Sequence, residues 1–197
     1  MLNETLAIAK ELIAIPGCIE LPEKETKVAE KLCAILRSGG VEAELVNAAP
    51  DRLNLLAVHR GTGGGRSLLL CTHLDTVPAY GMADAFAPAV RDGRLYGRGA
   101  VDVKDILAAM AAVMLRLARE KAKPAGDVVF LAVADEESGS VGMRHAVGDP
   151  RVAGADFAVI GEPTGLDIGI AHKGVAWFQA DFHGVATHGG SPEKGVN

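Results

Sequence analysis

Ser67-Leu68-Leu69-Leu70-Cys71-Thr72-His73-Leu74-Asp75-Thr76-Val77-Pro78 decides how this chain is read. Residues 67–71 are a continuous apolar run, too short for a helix and apolar enough for a buried strand. The run delivers His73 and Asp75 at its end, and Pro78 blocks its continuation. The same grammar recurs twice. Asp127-Val128-Val129-Phe130-Leu131-Ala132-Val133-Ala134 is a second buried strand that runs into Asp135-Glu136-Glu137-Ser138-Gly139, and Ala155-Asp156-Phe157-Ala158-Val159-Ile160 is a third that ends in Gly161-Glu162-Pro163-Thr164. Strands that each stop at a carboxylate or an imidazole predict an α/β fold, a mostly parallel sheet flanked by helices, with a ligand crevice outside the carboxyl ends of its strands.

The residue types at those ends suit a two-metal hydrolase. Imidazole nitrogen and carboxylate oxygen are zinc ligands, and a pair of ions about 3.5–4 Å apart needs a carboxylate able to bridge them. Asp102 is the candidate bridge. It follows Leu95-Tyr96-Gly97-Arg98-Gly99-Ala100-Val101, whose glycines let the backbone pass close to a site, and it stands where it can cap the long helix that follows. Glu136 and Glu137 are neighbours, which in an extended chain point opposite ways. At a strand-to-loop junction the backbone turns, so one carboxylate can reach a metal while the other faces water; the sequence leaves open which does which.

Thr72-His73-Leu74-Asp75-Thr76-Val77-Pro78, Gly97-Arg98-Gly99-Ala100-Val101-Asp102-Val103-Lys104, Asp135-Glu136-Glu137-Ser138-Gly139 and Gly161-Glu162-Pro163-Thr164 together resemble the motifs of the zinc metallopeptidases related to acetylornithine deacetylase and succinyl-diaminopimelate desuccinylase. Aminoacylases and glutamate carboxypeptidases belong to the same family. His172-Lys173-Gly174 and Gly184-Val185-Ala186-Thr187-His188-Gly189-Gly190-Ser191-Pro192 extend the likeness towards the last residue.

The resemblance implies a zinc aminopeptidase-like catalytic domain holding two zinc ions, with cobalt or manganese as substitutes. It makes His73 and Glu162 ligands of one ion, Glu137 a ligand of the other and Asp102 the bridge. Glu136 becomes the general base for a metal-activated water, and Asp75 orients the His73 ring. The implied reaction is cleavage of the amide bond of a small N-acyl amino acid or a short peptide. By the same resemblance residues 1–172 are the first part of the catalytic domain, and residues 173–197 begin an inserted α+β lid or dimerisation domain. His188 matches a lid histidine that reaches the partner's active site in dimeric relatives. Family members continue with more of the lid and a later metal-ligating histidine, so the chain is expected to be the N-terminal portion of a longer, homodimeric enzyme. A metal-binding piece without activity of its own is the alternative expectation.

Composition sets the remaining bounds. With 197 residues and 49% hydrophobic content the chain can bury a core, and a 4% aromatic share leaves Leu, Val and Ala to fill it. A net charge of −5 argues against a nucleic-acid partner. Cys18, Cys33 and Cys71, odd in number and irregularly spaced, read as reduced thiols in a cytoplasmic protein. Met1-Leu2-Asn3-Glu4 has no basic export region, and the apolar run at residues 106–115 is too short to span a bilayer, so no membrane association is expected. That run, apolar on all sides, predicts a helix buried on the sheet. Further helices are predicted over residues 2–14 and 23–38 and from Gly139 to about Val147, with strands over 41–46, 54–60 and, half-exposed, 175–182. Gly61-Thr62-Gly63-Gly64-Gly65-Arg66-Ser67 lacks the lysine of a phosphate loop and precedes a strand rather than following one, so it reads as a hairpin connection.

Overall fold

A computed structural model describes residues 1–174, 176, 178–181 and 183–196. The chain divides into two units, Met1–Pro163 and Thr164–Asn197. In the first unit the elements run α1 (Leu2–Ile13), α2 (Thr26–Ser38), β1 (Glu42–Ala49), β2 (Arg52–His59), β3 (Leu68–His73), β4 (Ala89–Arg91), β5 (Arg94–Tyr96), α3 (Lys104–Arg119), β6 (Val128–Val133), α4 (Val141–Ala146), α5 (Pro150–Ala153) and β7 (Phe157–Ile160). Five strands form one sheet in the order β1-β2-β6-β3-β7. β6, β3 and β7 are mutually parallel, while β2 is antiparallel to both β1 and β6. Only β2 therefore runs against the rest. The carboxyl ends of β3, β6 and β7 share one edge of the sheet, and β2 starts at that same edge.

Period-two alternation divides the sheet's side chains between two cores. Leu55, Ala57, Phe130 and Ala132 face α1, α2 and α3, whereas Leu56, Val129, Leu131 and Val133 face the side of α4 and α5. The helices supply matching stripes. In α2, Val28, Ala29, Leu32, Cys33 and Leu36 are buried at helical spacing, and Gly39-Gly40 ends the helix, with Gly40 at φ 79°. The predicted all-round burial of the 106–115 run is close to what α3 shows, with Leu107, Ala108, Met110, Ala111, Ala112, Met114 and Leu115 all buried. Burying each Leu or Phe of this set stabilises the fold by about 1.5–3 kcal/mol.

Three expectations are corrected. Gly61–Ser67 is not a hairpin connection, because β6 inserts between β2 and β3. The segment instead packs on the loop before β6, where Thr62 N–H donates to Pro124 O and Gly65 N–H to Ala125 O. β7 is not buried: it is an edge strand paired only with β3, and Phe157, Val159 and Ile160 are 49%, 50% and 57% exposed. Asp102 does not cap α3; Val103 holds that position and the Asp102 carboxylate turns to His73 instead. Two small elements, the β4–β5 ribbon and α5, were not anticipated. α5 starts where Asp149 accepts the Arg151 N–H, with Pro150 in its first turn.

The second unit contains a bridge between Val185 and Val196 and a 3₁₀ turn over Pro192–Lys194. The strand expected over 175–182 rests on Val175, Trp177 and Phe182, which lie outside the described residues. Among the described residues no helix is long and apolar enough to cross a membrane.

Candidate metal centre

Parallel pairing with matched register explains why distant motifs meet. Cys71 of β3 pairs with Leu131 of β6 and with Ile160 of β7, so the residues just past each strand emerge side by side. His73 ends β3, Glu136 and Glu137 follow β6 by a few residues, and Glu162 follows β7 by two. Thr72 Oγ1 donates to Gly161 O at 2.9 Å and stitches the exits of β3 and β7 together. Asp102 comes from the loop before α3. Gly99 in that loop has φ 82°, and a Cβ there would stand 3.0 Å from Thr76 Cγ2, so the close backbone approach predicted for the glycine pair is real.

His73, Asp102 and Glu162 each place a ligand atom within 4.8 Å of the others. His73 Nε2 lies 3.1 Å from Asp102 Oδ1, 3.9 Å from Glu162 Oε1 and 4.0 Å from Glu136 Oε2. Two ligands bound tetrahedrally at about 2.0–2.2 Å sit about 3.3–3.6 Å apart, so this spacing fits one zinc-sized ion with little movement. His73 is 1% exposed, whereas Asp102 is open to solvent. Glu137 stands beside this group rather than within it, and its Oε1 accepts the Val77 N–H at 3.2 Å. His188 belongs to the second unit, where its Nδ1 accepts the Gly190 N–H at 3.1 Å.

Asp75 makes contacts that its sequence position did not foretell. The His73 Nδ1–H donates to the backbone carbonyl of Asp75 at 3.0 Å, with the Asp75 carboxylate at 3.5 Å. That donation leaves Nε2 to face the carboxylates. The Asp75 side chain is spent elsewhere: Oδ1 accepts the Glu136 N–H and Oδ2 the Glu137 N–H, both at 3.1 Å. One buried carboxylate thus grips the backbone of the turn that carries both glutamates.

The electrostatics are those of a cation site. Burial opposes charge on His73, but the carboxylates of Asp75, Glu162 and Glu136 outweigh it and raise its pKa to about 9. Burial pushes the Glu162 carboxyl up despite His73, helped by repulsion from Glu136 and Asp102. Burial and the neighbouring Asp102 do the same to Glu137. Crowded carboxylates that resist ionisation beside one imidazole are the donor set that a divalent cation neutralises. Cys71, two residues before His73, is 1% exposed and its thiol is pushed up to about 12 by burial, so it is a core residue rather than a ligand.

The sequence profile of Peptidase family M20/M25/M40 matches residues 69–191. The chain belongs to this family. It is 33% identical over 202 residues to acetylornithine deacetylase of Proteus mirabilis (strain HI4320), covering 98% of this chain and 51% of the relative. It is 34% identical over 179 residues to succinyl-diaminopimelate desuccinylase of Cupriavidus necator (strain ATCC 17699), covering 84% of this chain and 46% of that one. Among solved structures it resembles an M20 family metallo-carboxypeptidase of Sulfolobus solfataricus, with a TM-score of 0.69 and 22% identity over 80% of this chain and 37% of that chain. A tripeptidase of Staphylococcus aureus gives 0.66 and 24% over 98% and 52%. These likenesses show the shared fold, and the chain spans about half the length of the curated relatives it matches.

Three residues that shape the site carried no motif signal. Arg52 and Asn54 stand at the head of β2, 6% and 1% exposed, and Lys104 is fully buried at the start of α3. Lys104 Nζ donates to the carbonyls of Leu12 and Ile15 just past the end of α1, which ties the Asp102 loop to the first helix. The available signal was a pair of polar residues, Arg52 and Asn54, alternating at the head of an apolar strand.

Proposed function

We propose that this chain carries the catalytic metal centre of a zinc-dependent amidohydrolase that cleaves the amide bond of a small N-acyl amino acid. The observation that carries the reading is the convergence of His73, Asp102 and Glu162 within the span of one ion, with Glu136 and Glu137 on the adjoining turn. We assign His73 and Glu162 to one zinc, Glu137 to the second and Asp102 to both. When bound, the zinc ions supply Lewis acidity towards the amide carbonyl and lower the pKa of water towards about 7. Asp75 O fixes the His73 ring so that Nε2 faces the site, and the Asp75 carboxylate fixes the turn. Glu136 takes the proton from the attacking water and delivers it to the leaving nitrogen. Residues 173–197 are taken as the opening of a lid, with His188 acting across a homodimer.

The deacetylase and desuccinylase names of the relatives favour an N-acetyl or N-succinyl amino acid as substrate. The test is zinc content per chain by elemental analysis, together with turnover of N-acetyl amino acids, N-succinyl amino acids and dipeptides. Glu136→Gln is expected to lower turnover by about 10²–10⁴ while zinc stays bound. Undiminished turnover in that variant would remove Glu136 as the base. Zinc bound without turnover of any substrate would make the chain a metal-binding piece that needs further residues for catalysis.

A further inference from the structure

The turn that carries Glu136 and Glu137 is held from a second side, by a buried charge cluster outside the metal centre. The antiparallel register pairs Leu55 of β2 with Ala132 of β6, and its continuation past both strand ends brings Arg52 opposite Asp135. Arg52 divides its guanidinium between two elements. One terminal nitrogen donates to both oxygens of Glu25, at 3.1 and 3.0 Å, and the other pairs with Asp135 Oδ1 at 2.9 Å. Glu25, Arg52 and Asp135 are 0%, 6% and 4% exposed. Glu25 sits at the N-cap position of α2, so the cluster runs from the second helix through the head of β2 to the residue before Glu136.

Asp135 is the pivot of this arrangement. Its φ is 66°, a left-handed backbone that residues other than glycine seldom adopt. Its side chain is engaged on every side: Ser138 Oγ donates to Oδ1 at 2.8 Å and Val141 N–H to Oδ2 at 3.3 Å, alongside Arg52. The direction in which the chain leaves Asp135 decides where the Glu136 and Glu137 side chains point. Asp75 holds that departing backbone through the Glu136 and Glu137 N–H groups. The turn is therefore gripped by a carboxylate on its metal side and by a guanidinium behind it. Arginine suits the second task because its rigid planar fork can satisfy two carboxylates in fixed directions, which a lysine ammonium cannot.

We propose that Arg52, anchored by Glu25, is a positioning residue that holds Asp135 and thereby aims Glu136 and Glu137 at the metal centre. The consequence for metal and turnover rests on the roles given to those glutamates above, whereas the consequence for the turn's backbone does not. The two are read separately, on the whole chain.

Arg52→Lys keeps the buried cation and most of the stem while removing the fork; Arg52→Met removes the charge. In each variant, hydrogen exchange at the Glu136 and Glu137 amides is compared with exchange at Phe130 in the middle of β6, and zinc affinity is measured by competition with a chromophoric chelator. A positioning role predicts that Arg52→Lys speeds exchange at Glu136 and Glu137 by at least about tenfold more than at Phe130, because the turn opens locally. It also predicts zinc binding about 10–100-fold weaker, as for loss of a group that orients a metal ligand. Equal changes at the turn and at Phe130 would mean that Arg52 only stabilises the fold, and would overturn the inference. Should Arg52→Met fail to fold, the lysine variant decides. Selective opening of the turn with no zinc bound even by the parent chain would support the positioning role and refute the metal-centre reading instead.

Discussion

Truncating Asn54 tests whether the turn and the sheet are joined as described. Asn54 is 1% exposed; its Nδ2 donates to Gly142 O at 2.8 Å and its Oδ1 accepts the Ala134 N–H at 3.0 Å. It therefore joins the head of β2 to the last residue before the Asp135 turn and to the start of α4. Asn54→Ala leaves one buried donor and one buried acceptor without partners. Each orphaned group costs about 1–3 kcal/mol, so the expected loss is roughly 2–6 kcal/mol. That is a large share of a typical total of about 5–15 kcal/mol. With a urea m-value of about 2 kcal/mol/M, the unfolding midpoint should fall by roughly 1–3 M. Asn47→Ala, at an exposed position of β1, is the control and should change stability by no more than about 0.5 kcal/mol. Equilibrium urea unfolding followed by circular dichroism reads both. A loss below about 1 kcal/mol for Asn54→Ala, at an unchanged m-value, would show that the two hydrogen bonds do not carry the junction.

Gly142→Ala should destabilise the same junction by about 1–3 kcal/mol, since a Cβ there would lie 2.5 Å from Ala134 N, Ala134 O and Asn54 Oδ1; wild-type stability in thermal unfolding would contradict that crowding. Acid should weaken the fold. The Asp127 carboxyl is held below its usual 3.8 by the Gly61 N–H and Arg60, Asp149 by Arg151, and Asp156 by the Ser67 N–H and hydroxyl. Each binds a proton less tightly in the fold than unfolded, so the stability it contributes is complete above pH 3.8 and disappears as pH falls through the lowered values. Glu25 works the other way: burial lifts it above 4.5, so its share of stability grows as pH falls through the raised value towards 4.5. Urea midpoints measured from pH 7 to pH 3 should drop steeply only at the acid end, and Asp127→Asn should flatten that drop. Cys18, Cys33 and Cys71 are buried, and burial raises the thiols of Cys33 and Cys71. A disulfide reagent at pH 8 should therefore label the folded chain slowly and all three thiols at once in urea; rapid labelling of the native chain would place a thiol at the surface.

Much of the site was legible because its residues sit at strand ends, and a strand end is a local event. A short apolar run, a stop and then His73, Glu136 or Glu162 can be read without knowing what lies beside it, and the family likeness supplied the order of the motifs. The helices followed from periodicity, and α2 differs from its predicted span only at its start. Register and strand order are different in kind, because they depend on which strand pairs with which. The run at 157–160 reads as buried yet lies at the sheet's edge, and the glycine-rich connection reads as a hairpin yet passes β6. Nothing local in Arg52 or Asn54 marks it as part of the site; the reversed direction of β2 alone brings its head to the edge where the parallel strands end. Likewise the sequence alone could name Asp75 as a partner of His73, but only the folded chain sets the Glu136 and Glu137 amides within reach of its carboxylate. Residue type and strand-end position determined which groups could bind a metal, while long-range pairing decided which groups hold them in place, since a hydrogen bond between residues 60 or 80 positions apart exists only once the sheet has closed their separation.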